Sequence, residues 1–238
     1  MKACTKNKGL AAQAGFTLVE IAIVLVIIGL LLGGILKGQE MITQAKIKNV
    51  INDMTGVAAA MYGYQDRYRA LPGDDKNAAS RWSTTSSGDG DGVIIGTYTA
   101  AITSGAGVTP VTGPESALFW HHLRLAGFVS GTGADQPFNA VNGKMGVQTS
   151  TGVAATISTG VLGSPTAPAN PFTALMLCSA NLPDKIAISV DAQTDDGVGT
   201  TGTVRGQDQA GTANPAIAAT ASTYSETGTN TYVVCKTL

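Results

Sequence analysis

The sequence predicts an α+β fold: a long N-terminal helix followed by a head of short strands and short helices. Three observations predict it. Residues 16–36 are apolar except for Thr17 and Glu20. An apolar stripe then runs on to Tyr68, with no proline before Pro72. Beyond Pro72 the pattern breaks into short apolar runs between stretches rich in Gly, Thr and Ala. A chain of 238 residues suits one domain with an appendage, or two small domains. Its net charge of −1 and pI near 6.1 leave no electrostatic footprint for nucleic acid. Only 13% of its residues are charged, a composition common among secreted, assembly-forming proteins.

Lys2, Lys6 and Lys8 precede the apolar run, so the positive-inside rule places residues 1–15 in the cytoplasm and the remainder outside. At 1.5 Å per residue, residues 16–36 match the ~30 Å hydrocarbon core of a bilayer. A secretory signal is cut after its apolar core. Here a polar, basic leader ends in Gly15, and a cut between Gly15 and Phe16 keeps the apolar segment in the mature chain. Glu20 is the anomaly. Insertion scales charge ~2.5–3.5 kcal/mol for an Asp at the bilayer centre, less near an interface, so such a residue usually has a partner. A cut at that junction would make one, the Phe16 α-amino group, which would be mostly protonated at neutral pH.

Past the span, Ile47, Val50, Ile51, Met54, Val57, Ala58, Met61, Tyr64 and Tyr68 recur at helical spacing, with Lys46, Lys48, Asn49, Asn52 and Asp53 on other faces. Ala70-Leu71-Pro72-Gly73-Asp74 is a stop signal. The predicted helix runs from 16 to about 69 and is ~80 Å long. Its first half needs lipid or other helices around it; its second half needs a globular head. Gly29/Gly33 and Gly34/Gly38 allow either close helix packing or local unwinding.

In the head, Glu115–Gly127 reads as a helix with a glycine C-cap, burying Phe119, Trp120, Leu123 and Ala126. A second helix is expected from Asn181-Leu182-Pro183 toward Gln193. Strands are expected at residues 93–98, 145–149, 173–178, 203–205 and 232–236. Residues 99–114, 150–170 and 206–230 read as long surface loops.

The run KGLAAQA-G-FTLVEIAIVLVIIGLLL resembles the processing signal of type IV pilins and of the pseudopilins of type II secretion. The resemblance implies a leader, residues 1–15, removed by a prepilin peptidase and methyltransferase between Gly15 and Phe16, with N-methylation of Phe16. It implies a domain order of cleaved leader 1–15, long helix 16–71 with 16–36 as its transmembrane and assembly segment, and pilin-like head 72–238. Together with the strand pattern it implies an antiparallel sheet packed on the second half of the helix. Glu20 is then the assembly glutamate, meeting the Phe16 amine of a neighbouring subunit. The implied partners are identical or related pilins in a helical filament and an inner-membrane assembly platform; nucleic acid is not among them. The implied location is a single pass of the inner membrane with an extracytoplasmic head, then a pilus or periplasmic pseudopilus. The family's usual proline within the helix is missing. The head is larger than that of a small major pilin, which leaves open a minor or tip subunit binding a surface, DNA or secreted cargo.

With the leader removed, Cys4 leaves and Cys178 and Cys235 remain, an even pair that an oxidising compartment would join; otherwise they are two buried thiols. No enzyme is expected. G-x-S-x-G, P-loop, C-x-x-C and H-E-x-x-H patterns are all absent. The neighbours His121 and His122 point about 100° apart on a helix, poor geometry for one metal. No cofactor is expected beyond a structural calcium. For that ion, Asp89 and Asp91 in SSGDGDG present alternating carboxylates as a calcium loop does, although the closing Glu of an EF-hand is missing and a plain glycine turn explains the same residues. Asp195-Asp196-Gly197 is a weaker instance.

Overall fold

A computed structural model describes residues 15–103, 110–154, 158–166 and 170–238. Residues 1–14, with Cys4 and the leader lysines, lie outside these, as do short pieces of the two loops expected at 99–114 and 150–170. The chain divides into two units at Thr43/Gln44.

In the first unit, helix α1 (Leu18–Tyr68) begins, and no side chain between Leu18 and Ile42 is buried. Among the described residues α1 is the one helix long and apolar enough to cross a membrane.

The second unit is built around the rest of α1. Ile47, Val50, Met54, Val57, Ala60, Met61 and Tyr64 form its buried stripe. Each fully buried Val or Met of such a stripe stabilises the fold by about 1.5–3 kcal/mol. The helix ends at Tyr68 because Arg69 turns left-handed (φ 57°) and Pro72 blocks continuation. A short turn of helix, α2 (Ala78–Arg81), follows, then α3 (Glu115–Leu125). The remaining elements are β1 (Met145–Thr149), β2 (Leu175–Pro183), α4 (Asp184–Thr194), β3 (Val204–Asp208) and β4 (Thr231–Thr237). The four strands make one antiparallel sheet in the order β1-β2-β4-β3. A long N-terminal helix with such a sheet and short helices is an α+β, pilin-like arrangement.

Strand alternation sorts the sheet into two buried faces. Met145, Val147, Leu177, Leu182, Val204, Tyr232 and Val234 pack with α1, α3 and α4. Met176, Cys178, Ala180, Val233 and Cys235 pack on the opposite side with Tyr98, Val161, Leu162, Phe172 and Ala221. Residues 150–170 and 206–230 are therefore not wholly surface loops: they supply the cover for that second face. Arg205, 4% exposed, holds part of that cover in place. Its Nη1 donates to the carbonyls of Leu162 (2.8 Å) and Asn170 (2.7 Å), and its guanidinium lies 4.3 Å from the Phe172 ring centroid.

Two expected elements differ. Residues 93–98 form no strand. Gly92 (φ 87°) and Gly96 (φ 114°) bend the run out of extended geometry. Ile94 N–H donates to Thr149 Oγ1 (3.1 Å) and Tyr98 N–H to Gln148 Oε1 (2.8 Å), while Gly96 N–H donates to the Gly152 carbonyl (2.8 Å). The helix expected from Asn181 starts at Asp184, because β2 continues through a bulge at Asn181 (φ 56°) as far as Pro183.

Candidate functional site

The head of α1 is a capping box. Glu20 Oε2 accepts from Thr17 N–H (2.8 Å) and Thr17 Oγ1 (2.8 Å), while Glu20 N–H donates to Thr17 Oγ1 (3.3 Å). The Thr17 carbonyl takes the first intrahelical bond, from Ile21 N–H at 3.4 Å. Thr17 is thus the N-cap and Glu20 the third helical residue, the reciprocal arrangement that T-x-x-E before an apolar run announces. The carboxylate is held beside the backbone of residue 17, next to where a new chain end would lie if the peptide after Gly15 were cut. Phe16 is 84% exposed and a Cβ added at Gly15 meets nothing within 4 Å, so the junction is sterically open.

A second constellation joins the segment after α1 to α3. Gly73 (φ 93°) sits against the Glu115 backbone, too close for any Cβ, and its N–H donates to His122 Nδ1 at 2.9 Å. His122 Nε2 lies 3.2 Å from Thr85 Oγ1 and 3.1 Å from the Ser86 carbonyl. With Nδ1 accepting, Nε2 carries the proton, and the ring is neutral. It stacks on Tyr64 (centroids 6.4 Å apart, planes 12° apart), whose hydroxyl donates to Asp75 Oδ2 at 2.8 Å. Asp75 also pairs with Arg81. Burial, aided by the neighbouring His121 and Arg81 charges, holds His122 down at about 4.

Asp74, Asp89 and Asp91 each bring a carboxylate oxygen within 4.8 Å of the others. These oxygens already close the loop. Asp74 accepts N–H from Gly90 (2.6 Å) and Gly92 (2.8 Å), Asp89 from Asp91 (3.1 Å), and Asp91 from Val93 (2.8 Å). Glu115 joins them, accepting from Asp89 N–H (3.2 Å) and Ile95 N–H (2.9 Å). Burial beside the Asp74 and Asp89 charges pushes Glu115 up to about 7. Asp191, Asp195 and Asp196 cluster likewise, with Asp191 accepting from Tyr224 Oη (2.8 Å) and Gly197 N–H (3.0 Å).

These two buried groups on α3 pull stability in opposite directions with pH. His122 prefers its neutral form in the fold, so the unfolded chain binds more protons between about 4 and 6.5, and stability falls as pH drops through that window. The shift is worth about 3 kcal/mol. Glu115 prefers its protonated form, so its contribution falls as pH rises from 4.5 toward about 7. Urea unfolding of the wild type is expected to change little between pH 4.5 and 6.5. The His122→Gln chain should instead gain stability on acidification, having lost the opposing group. A parallel pH profile for the two chains would contradict this assignment.

Cys178 and Cys235 face each other across β2 and β4 and are joined in a disulfide, both fully buried.

Residues 10–36 match the family model described as the prokaryotic N-terminal methylation motif, the signature of type IV pilins and pseudopilins. No curated protein and no solved structure matches the chain. The motif and the fold together support an exported subunit of the pilin and pseudopilin kind, structural rather than catalytic, and the apolar helix fits a membrane anchor.

Proposed function

We propose that the chain is a filament subunit of a type IV pilus or a type II secretion pseudopilus. It is made with leader 1–15, inserted once in the cytoplasmic membrane with its head outside, cut between Gly15 and Phe16 and N-methylated on Phe16. It then polymerises as Glu20 pairs with the Phe16 amine of a related subunit. The observation that carries this reading is a helix apolar on every side from Leu18 to Leu36, unburied, and interrupted by one carboxylate at its head. Such a surface requires lipid before assembly and other helices after it. Mass spectrometry of exported material should find a chain beginning at methylated Phe16; retention of residues 1–15 would leave a tethered domain and no polymer.

The size of the head and its long loops favour a second reading, a minor or tip subunit whose head binds a surface, DNA or cargo. Deleting the gene is then expected to leave filaments in place while adhesion or uptake is lost. Calcium at Asp89 and Asp91, with Asp74, belongs to the proposal as a stabiliser of the head, its three carboxylates being hard oxygen donors of the kind that ion takes. Millimolar calcium is expected to raise the melting temperature and a chelator to reverse it; an unchanged temperature would leave that loop held by its backbone hydrogen bonds alone.

A further inference from the structure

Among the described residues of the head, Phe138 is the most exposed large apolar side chain, at 63%. The turn that carries it is fixed. Phe138 itself bridges Lys144. The next residue, Asn139, is buried, and its side chain ties the turn to β2. Its Nδ2 donates to Ser179 Oγ (2.8 Å) and to the Ala180 carbonyl (2.7 Å), while its Oδ1 accepts N–H from Val141 (2.9 Å) and Gly143 (2.8 Å). Gly143 lies where any Cβ would strike the Ala180 carbonyl. The fold thus presents an apolar ring to water on a rigid mount, and a mount ordered beforehand loses little further freedom when a ligand arrives.

Phe138 lines two hollows, of about 300 Å³ and about 190 Å³. Asn52, Asp53 and Ser130 line the first with it, and Asp135, Gln136 and Lys144 the second. No ion pair among the described residues includes Asp53, Asp135 or Lys144. An aromatic ring set among carboxylate, amide and hydroxyl groups suits a ligand that is apolar on one face and hydroxylated around its edge. A pyranose is built that way: its C–H bonds present the apolar face, and each hydroxyl can donate one hydrogen bond and accept two. Other ligands suit the place less well. A peptide strand would need the border of β1, where Met145 N–H already donates to Pro137 (3.0 Å) and Thr149 N–H to Ile94 (3.3 Å). An amphipathic helix needs an apolar groove, and polar side chains rim both hollows. A polyanion would meet the Asp53 and Asp135 carboxylates.

We propose that Phe138 and its two hollows bind an uncharged oligosaccharide, one sugar ring lying on Phe138 and its neighbours in the glycan bonding to the polar side chains of the hollows. The inference rests on the second reading above, a subunit whose head binds a surface, and names the class of ligand on that surface.

The test uses the full chain, purified in a detergent without a sugar headgroup. It is titrated calorimetrically with cellotetraose, maltotetraose, mannotetraose and N-acetylated chitotetraose, and with a proline-rich peptide. Saturable binding of at least one tetrasaccharide is expected. Phe138→Ala should weaken it at least about tenfold and Phe138→Tyr should retain it. Both variants should melt with the wild type, because the ring is exposed. Binding of no tetrasaccharide, or binding that Phe138→Ala leaves intact, overturns the site. Binding of the peptide alone, lost in Phe138→Ala, overturns the ligand class. Deleting the gene separates this inference from the reading beneath it. Lost adhesion with no tetrasaccharide bound overturns the glycan and leaves the binding head; unchanged adhesion removes the binding head, whatever the purified chain binds.

Discussion

The Glu20→Val chain is expected to enter the membrane and lose residues 1–15, yet to be missing from sheared filaments. Membrane insertion should survive because the substitution removes a charge from an apolar helix. Cleavage should survive because Gly15 and Phe16 are untouched and the junction is open. Assembly should fail because the Phe16 amine of one subunit would be left without its carboxylate in a low-dielectric bundle. Breaking such a buried charge pair costs about 2–5 kcal/mol, at least about thirtyfold in the equilibrium. The capping box supplies a rival cause, since Val also loses the bonds to Thr17 and frays the first turn, a loss of about 1 kcal/mol. Glu20→Gln separates them. A glutamine at this position still serves a capping box but carries no charge, so it too should be processed and left out of filaments. Normal incorporation of the Gln variant, read by immunoblot of the sheared fraction, would assign Glu20 to capping and sink the charge-pairing role.

Removing the disulfide has the second large effect. Cys178 and Cys235 are 57 residues apart in sequence, and releasing that loop frees about 4 kcal/mol of chain entropy in the unfolded state. The Cys178→Ala/Cys235→Ala chain should therefore melt well below the wild type, by roughly 8–16 °C for a chain of this size. The loss falls on the centre of the sheet, because β2 and β4 are its two inner strands. Both sulfurs are buried, so reductant should act on the wild type only under conditions that open the head. Equal melting temperatures for the two chains, measured in the same detergent, would contradict this.

The features that were legible in the sequence are those with a local cause. The stripe from Ile47 to Tyr64 obeys helical spacing and is the buried stripe of α1. Residues 145–149 alternate and pair, and are β1. The stop after Tyr68 follows from Pro72. Thr17 and Glu20 were equally local, and the capping box was readable from T-x-x-E; the acid's cost in lipid is the louder signal and masks its use as a cap. What stayed hidden depends on distant residues. His122 is neutral because distant segments bury it, with Gly73 N–H donating to its Nδ1. Glu115 is raised because it is buried beside Asp74 and Asp89, which lie far back along the chain. Spacing along α3 contains no trace of either. Residues 93–98 misled for the opposite reason: their side chains suit a strand, but the glycines at 92 and 96 and the side chains of Gln148 and Thr149 set their path.

Both outer strands of the sheet are already engaged by the chain's own loops. On β1, Met145 N–H donates to Pro137 and Thr149 N–H to Ile94. On β3, Gly206 N–H donates to Gly199, and its carbonyl accepts from Ser222. Exposed borders of this kind are where crowded proteins zip together edge to edge. Here loops of the same chain occupy those borders, so copies crowded side by side are not offered a bare strand on which to zip into amyloid.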